Sequence, residues 1–268
     1  MFWERVLSSI VIVAVLFGGM YIGGWVWAAL VGLLIIGALK EYADMMKVKG
    51  YPQPLWLLCL LGVFVVCLQN YHIGIISESA ILVAFVSLVL WLVTTQEEFS
   101  RFAFALAGYM MIAWSLSFLI CLEGIYEGWW ICLLAFLITW STDAGAYCVG
   151  MLFGRHQMAP VISPKKSWEG AVGGVIITLI VVSVYNFFFL HYDALFMLLL
   201  ALLCSIAAQI GDLTESWLKR WVGVKDSGSL IPGHGGLLDR FDSMMLLAPI
   251  LYYLLILYHS IEIYFTTL

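Results

Sequence analysis

Charge is scarce in these 268 residues: 12 Lys plus Arg and 17 Asp plus Glu make up 11% of the chain, while 64% is hydrophobic. Soluble domains carry about 25% charged and about 45–50% apolar residues, so a soluble globular enzyme is excluded. A disordered chain, which needs low hydrophobicity and high charge, is excluded by the same poverty. Cysteine is thin as well. The six (positions 59, 67, 121, 132, 148 and 204) lie within or at the ends of apolar segments and form no C-x-x-C pair, so they read as small buried hydrophobes rather than a disulfide framework. No internal repeat, low-complexity tract or extramembrane domain is visible. What remains is an all-α, polytopic integral membrane protein.

A bilayer core about 30 Å thick needs about 20 apolar residues of helix. No charge occurs from Val6 to Leu39, a stretch too long for one span, and Gly18, Gly19, Gly23 and Gly24 sit near its middle. The spacing predicts two short helices, 6–22 and 24–39, joined by a tight turn. Further spans are expected at Leu55–Gln69, Ala80–Thr95, Phe102–Leu122, Trp129–Phe153, Ala171–Leu190, Ala194–Trp217 and Ser243–Tyr264, nine in all. Arg5 precedes the first run, which is far longer than the about 7–15 residues of a signal-peptide core, so it reads as a membrane helix.

Nine spans place all twelve basic residues on one side, from Arg5 through Lys40, Arg101, Arg155 and Lys165 to Arg240. The other side holds His72, Glu78, Glu123, Glu127, His191, Asp193 and Glu262, with no Lys or Arg. Basic residues mark the cytoplasmic side, so the N-terminus is expected inside and the C-terminus outside. The net charge of −5 says less than this placement.

Ionisable groups within spans are costly unless they face protein or water, so each one points to function. Asp143 lies late in the sixth span with Tyr147 on the same helical face, and Ala144, Gly145 and Ala146 permit close helix approach. In Ser163-Pro-Lys-Lys-Ser-Trp-Glu-Gly170, Ser163-Pro164 reads as a turn and Ser167 as the N-cap of the seventh span. Lys165 and Lys166 beside a helix N-terminus suit a phosphate, although they would also serve as headgroup anchors. On the eighth span Asp212, Glu215, Ser216 and Lys219 stand at i, i+3, i+4 and i+7, along one face. Lys225 to Gly236 is rich in Gly and Ser beside Lys and His, which lets backbone amides approach phosphate; Asp239 and Asp242 then share a face. Carboxylates at two helix ends with Lys, Arg and a glycine-rich loop match Mg²⁺, which takes one or two carboxylates plus substrate phosphates. One His and no Cys in this block do not suit zinc.

Ser216-x-Leu-Lys-Arg220, four residues, Lys225-Asp-Ser-Gly, Leu230-Ile-Pro-Gly-His-Gly-Gly236 and Asp239-Arg-Phe-Asp242 resemble the signature of the phosphatidate cytidylyltransferase (CDP-diacylglycerol synthase) family. Asp143-Ala-Gly-Ala-Tyr147 and Ser163–Gly170 resemble it too. The resemblance divides the chain into N-terminal helices, 1–142, and a motif-bearing C-terminal part, 143–268. It implies condensation of CTP with phosphatidic acid to CDP-diacylglycerol and pyrophosphate, in a bacterial-type inner membrane, with Mg²⁺ and a companion monovalent cation such as K⁺. Membrane lipids are the expected surroundings, no nucleic acid is expected as a partner, and a homodimer stays open.

The site residues implied are Asp212 and Asp239 as first metal ligands, with Asp226, Asp242 and Glu215 after them. Ser216, Lys219 and Lys225 would contact phosphates, and Arg240 would neutralise pyrophosphate. Ser163, Lys165, Lys166 and Arg220, with Gly235 and Gly236, would bind substrate. His234 would donate to a phosphate, since a phosphate monoester is already ionised near neutral pH. Asp143 would orient a lysine or bind a cation. A CTP-dependent polyprenol or phytol kinase would need similar groups and differs in product. A CDP-alcohol phosphatidyltransferase would carry a D-G-x₂-A-R arrangement that is absent here. A transporter would place its polar groups near the bilayer midplane and show repeats.

Overall fold

A computed structural model describes the backbone of residues 2–71, 76–230 and 235–266, and the side chains of residues 11, 13–71, 79–230 and 235–264. The helices are α1 (Phe2–Ile22), α2 (Gly24–Val48), α3 (Leu55–Asn70), α4 (Ile76–Thr95), α5 (Phe99–Gly108), α6 (Ser115–Glu123), α7 (Gly128–Phe153), α8 (Trp168–Tyr185), α9 (Ala194–Val222) and α10 (Leu238–Thr266). A π-helical turn, Tyr109–Trp114, fuses α5 and α6 into one apolar rod, so the described residues form nine rods, as the hydropathy predicts. Six of them are long and apolar enough to cross a membrane: Gly24–Val48, Phe99–Glu123, Gly128–Phe153, Trp168–Leu190, Ala194–Val222 and Leu238–Tyr264.

The surface of these helices is the reverse of a soluble protein's. On α9 Leu195, Leu199, Leu203, Ile206 and Ile210 are exposed, whereas Ala201, Cys204, Ser205, Ala207 and Ala208 are buried. Where the surroundings are as apolar as leucine, large side chains gain nothing by burial, and small ones let helices approach.

The chain forms two compact units, Met1–Trp129 with Leu218–Phe241, and Trp130–Trp217 with Asp242–Leu268. The first is built on α2. Trp27, Val31, Ile35, Ala38, Tyr42 and Met46 recur on one helical face and are buried. The indole of Trp27 donates to Leu119 O at 2.9 Å, and the Tyr42 hydroxyl to Phe104 O at 2.7 Å. The predicted turn before α2 falls at Gly23 and Gly24, whose φ angles of 68° and 52° suit glycine. Of the described residues, 218–230 and 235–241 belong to this unit.

The second unit holds α7 and α8 in close contact. A Cβ on Gly174 would stand 2.8 Å from Thr142 O, and one on Gly145 2.8 Å from Ile177 Cβ. Buried hydroxyls tie the helices: Thr142 Oγ1 lies 2.8 Å from Thr178 Oγ1 and 3.0 Å from Ser205 Oγ. Between α7 and α8 runs a small antiparallel hairpin, β1 (Gln157–Ala159) and β2 (Ser163–Ser167). This corrects the expected turn at Ser163-Pro164: the reversal falls at residues 160–162, and Pro164 sits within β2. Proline is tolerated at a sheet edge, which a two-stranded hairpin supplies on both sides.

Candidate active site

In the second unit, β2 ends where α8 begins. Ser167 is the N-cap, its Oγ accepting from Gly170 N at 3.1 Å, as its position before an apolar run predicts. Glu169 steadies the hairpin by accepting from the backbone N–H groups of Arg155 and His156 and from the His156 ring. Lys165 and Lys166 are thereby held beside a helix N-terminus. They line a cavity of about 340 Å³ together with Ser163, Asp143, Tyr147, Gln209 and Asp212. Lys166 Nζ meets Asp212 Oδ2 at 2.5 Å, each side chain 27% exposed. Ser216 Oγ donates to Asp212 Oδ1 at 3.3 Å, one turn along α9. Asp143 thus shares the cavity with Lys166, while the lysine's ion pair is with Asp212. Glu215 is fully buried, and Asp242 accepts from Ser243 N at 2.6 Å.

In the first unit, Lys219 Nζ donates to Asp239 Oδ1 at 2.6 Å, the side chains 12% and 10% exposed. Oδ2 of Asp239 accepts from Ser227 N at 3.0 Å, Ser227 Oγ at 3.0 Å and Gly236 N at 2.9 Å. Both carboxylate oxygens are therefore engaged. Gly235 has φ of 84°, and a Cβ there would meet Asp239 Oδ2 at 3.0 Å. Lys225, Asp226 and Arg240 are exposed, as is Arg220, whose Nη1 donates to Val224 O at 3.3 Å. His234 lies outside the described residues.

One participant was not expected. Glu41 of α2 is 3% exposed and accepts from Leu237 N, Leu238 N and Ser227 Oγ. The signal for it was present, because a carboxylate directly after the charge-free run from Val6 to Leu39 is an ionisable group at a span end.

Mg²⁺ completes its oxygen shell with water and substrate phosphates around one or two carboxylates. Asp143 and Asp212, which both line the cavity, supply that donor set, so the second unit's residues fit the ion. Among the described residues, no three His, Cys, Asp or Glu side chains gather into an all-protein cage.

An apolar helical protein with two ammonium groups, two carboxylates and a capped helix N-terminus around one opening is built to receive a phosphate-bearing substrate within a membrane. The chain belongs to the cytidylyltransferase family, whose sequence profile matches residues 3–258. It is 39% identical over 256 residues to a phosphatidate cytidylyltransferase of Staphylococcus saprophyticus, covering 94% of this chain and 98% of that protein. Proteins with the same name from Staphylococcus aureus and Staphylococcus epidermidis are 37% and 36% identical, with the same coverage.

Proposed function

We propose that this chain condenses CTP with phosphatidic acid, giving CDP-diacylglycerol and pyrophosphate, as a step of phospholipid biosynthesis. The observation that carries the reading is the cavity lined by Lys165, Lys166, Asp143 and Asp212, in a chain of the cytidylyltransferase family. A phosphate oxygen of the lipid attacks the α-phosphorus of CTP, the bond to the bridging oxygen of the β-phosphate breaks, and pyrophosphate leaves with that electron pair. Two polyanions must meet, so fixed positive groups are the first requirement.

Lys165 and Lys166 bind phosphate in this scheme, with Ser163 and the N-terminal amides of α8 as further donors. Lys166 starts from Asp212 and turns to the substrate. Lys219 makes the same exchange in the first unit, turning to phosphate and leaving Asp239 for the companion cation. Arg220, Lys225 and Arg240 are exposed and offset charge on triphosphate or pyrophosphate. Bound Mg²⁺, held by Asp212 with Asp143, would stabilise charge on the leaving group. Asp226, Asp242 and Glu215 rank behind these as ligands, and K⁺ is the proposed monovalent companion.

The setting proposed is a bacterial-type inner membrane with the N-terminus and the site cytoplasmic and the C-terminus outside. The one-sided distribution of Lys and Arg supports it. The scheme requires no nucleic acid, and dimerisation is read from the mass of the detergent-solubilised protein. The deciding assay supplies phosphatidic acid in mixed micelles, Mg²⁺ and γ-labelled CTP. Labelled pyrophosphate and CDP-diacylglycerol are expected; label on the lipid would replace transfer by kinase chemistry.

A further inference from the structure

Glu41 stands 186 residues before Ser227, yet its carboxylate holds Ser227 and the start of the helix that carries Asp239. Oε1 accepts from Leu237 N at 3.0 Å, and Oε2 from Leu238 N at 2.9 Å and Ser227 Oγ at 3.0 Å. Leu238 is the first residue of α10, and the residue in the capping position, Leu237, is apolar. The helix thus lacks a cap of its own, and α2 supplies the acceptor for its first amides. A buried carboxylate is stable there because three donors and the positive end of the helix surround it.

The same oxygens bear on the loop. Ser227 Oγ is 3.0 Å from both Glu41 Oε2 and Asp239 Oδ2, and it has a single proton to share between them. A Cβ on Gly236 would collide with Glu41 Oε2 and Ser227 Oγ, so the backbone there is pressed against the carboxylate. Moving Glu41 therefore moves Ser227, the start of α10 and Asp239 together.

We propose that Glu41 is a positioning residue for the transfer reaction, fixing Asp239 and Ser227 through the loop and the first turn of α10 without touching substrate. This rests on the reading of residues 218–242 as part of the catalytic machinery. A carboxylate used only to stabilise the fold would be equally served by any arrangement that neutralised it. Here it reaches Asp239, the proposed cation ligand, through one shared hydroxyl.

The test uses the full-length protein in detergent. Glu41→Gln keeps the volume and one accepting oxygen, whereas Glu41→Ala removes both. Expected results are a kcat lowered about tenfold for Gln and about 10²-fold for Ala, with KM for phosphatidic acid within about twofold of wild type. Hydrogen exchange at the Leu237 and Leu238 amides should quicken in both variants, while exchange in α7 and α8 stays as in wild type. Wild-type kcat per folded molecule in the variants overturns the proposal, and so does a lowered kcat with unchanged exchange at those two amides. Should Glu41→Ala fail to fold, Glu41→Gln decides by the same two readouts. Wild-type protein that releases no pyrophosphate from CTP would overturn the functional reading instead, and the exchange result would still stand on the geometry alone.

Discussion

Lys166 and Asp212 meet at 2.5 Å with 27% of each side chain exposed; Lys219 and Asp239 meet at 2.6 Å with 12% and 10% exposed. The first pair sits on the wall of a cavity, and Asp212 also accepts from the Ser216 hydroxyl. In the second pair, Asp239 also holds two backbone N–H groups and a hydroxyl. A half-open ion pair holds its charges near water and gives them up cheaply to a ligand. A nearly buried one with every oxygen engaged resists separation, because each freed group would be left desolvated. Under the proposed function, the difference suits the first pair to binding and the second to framework, with chemistry only after rearrangement.

The sharpest way to break this comparison is Asp239→Ala. It removes the carboxylate that pairs with Lys219 and accepts from two backbone N–H groups, so a loss of about 3–5 kcal/mol in stability is expected together with loss of turnover. Thermal unfolding in detergent beside the transfer assay measures both; an unchanged melting temperature would erase the distinction between the pairs. Asp212→Asn comes next. Turnover should fall about 10²–10³-fold, while stability changes by less than about 1 kcal/mol, because the pair is partly solvated. A large drop in melting temperature would make this pair framework too. The smallest effect is expected from Ser167→Ala, which removes the N-cap of α8 at a cost of about 1 kcal/mol and loosens the strand carrying both lysines. KM should rise a few-fold with kcat retained, and an unchanged KM would separate the cap from the cavity.

The legible parts of this molecule were those governed by local rules. Span positions followed from runs of apolar residues, the break at Gly23 from a glycine cluster in an overlong run, and the Ser167 cap from a hydroxyl ahead of a helix. Lys165, Lys166, Asp143 and Asp212 were readable as candidates because a charge in an apolar chain stands out. The hairpin at 157–167 was hidden: Ser163-Pro164 carries turn residues, and only pairing with Gln157–Ala159 makes that stretch a strand. Glu41 could be noticed as an ionisable group at a span end, but its role was hidden, since nothing local marks partners that lie at positions 227, 237 and 238.

The scarcity of charge determined, by itself, that the chain is a helical membrane protein, and the positions of the few charges marked which of them were candidates for chemistry. Desolvation makes both readable, because a charged group in an apolar segment is tolerated only where protein or water receives it. Which charge pairs with which was decided by the tertiary structure alone. Lys166 took Asp212 across 46 positions, and Glu41 took the start of α10 across nearly 200. Ion pairs and hydrogen bonds act over a few ångströms of space, and sequence separation sets no limit on them once the helices pack.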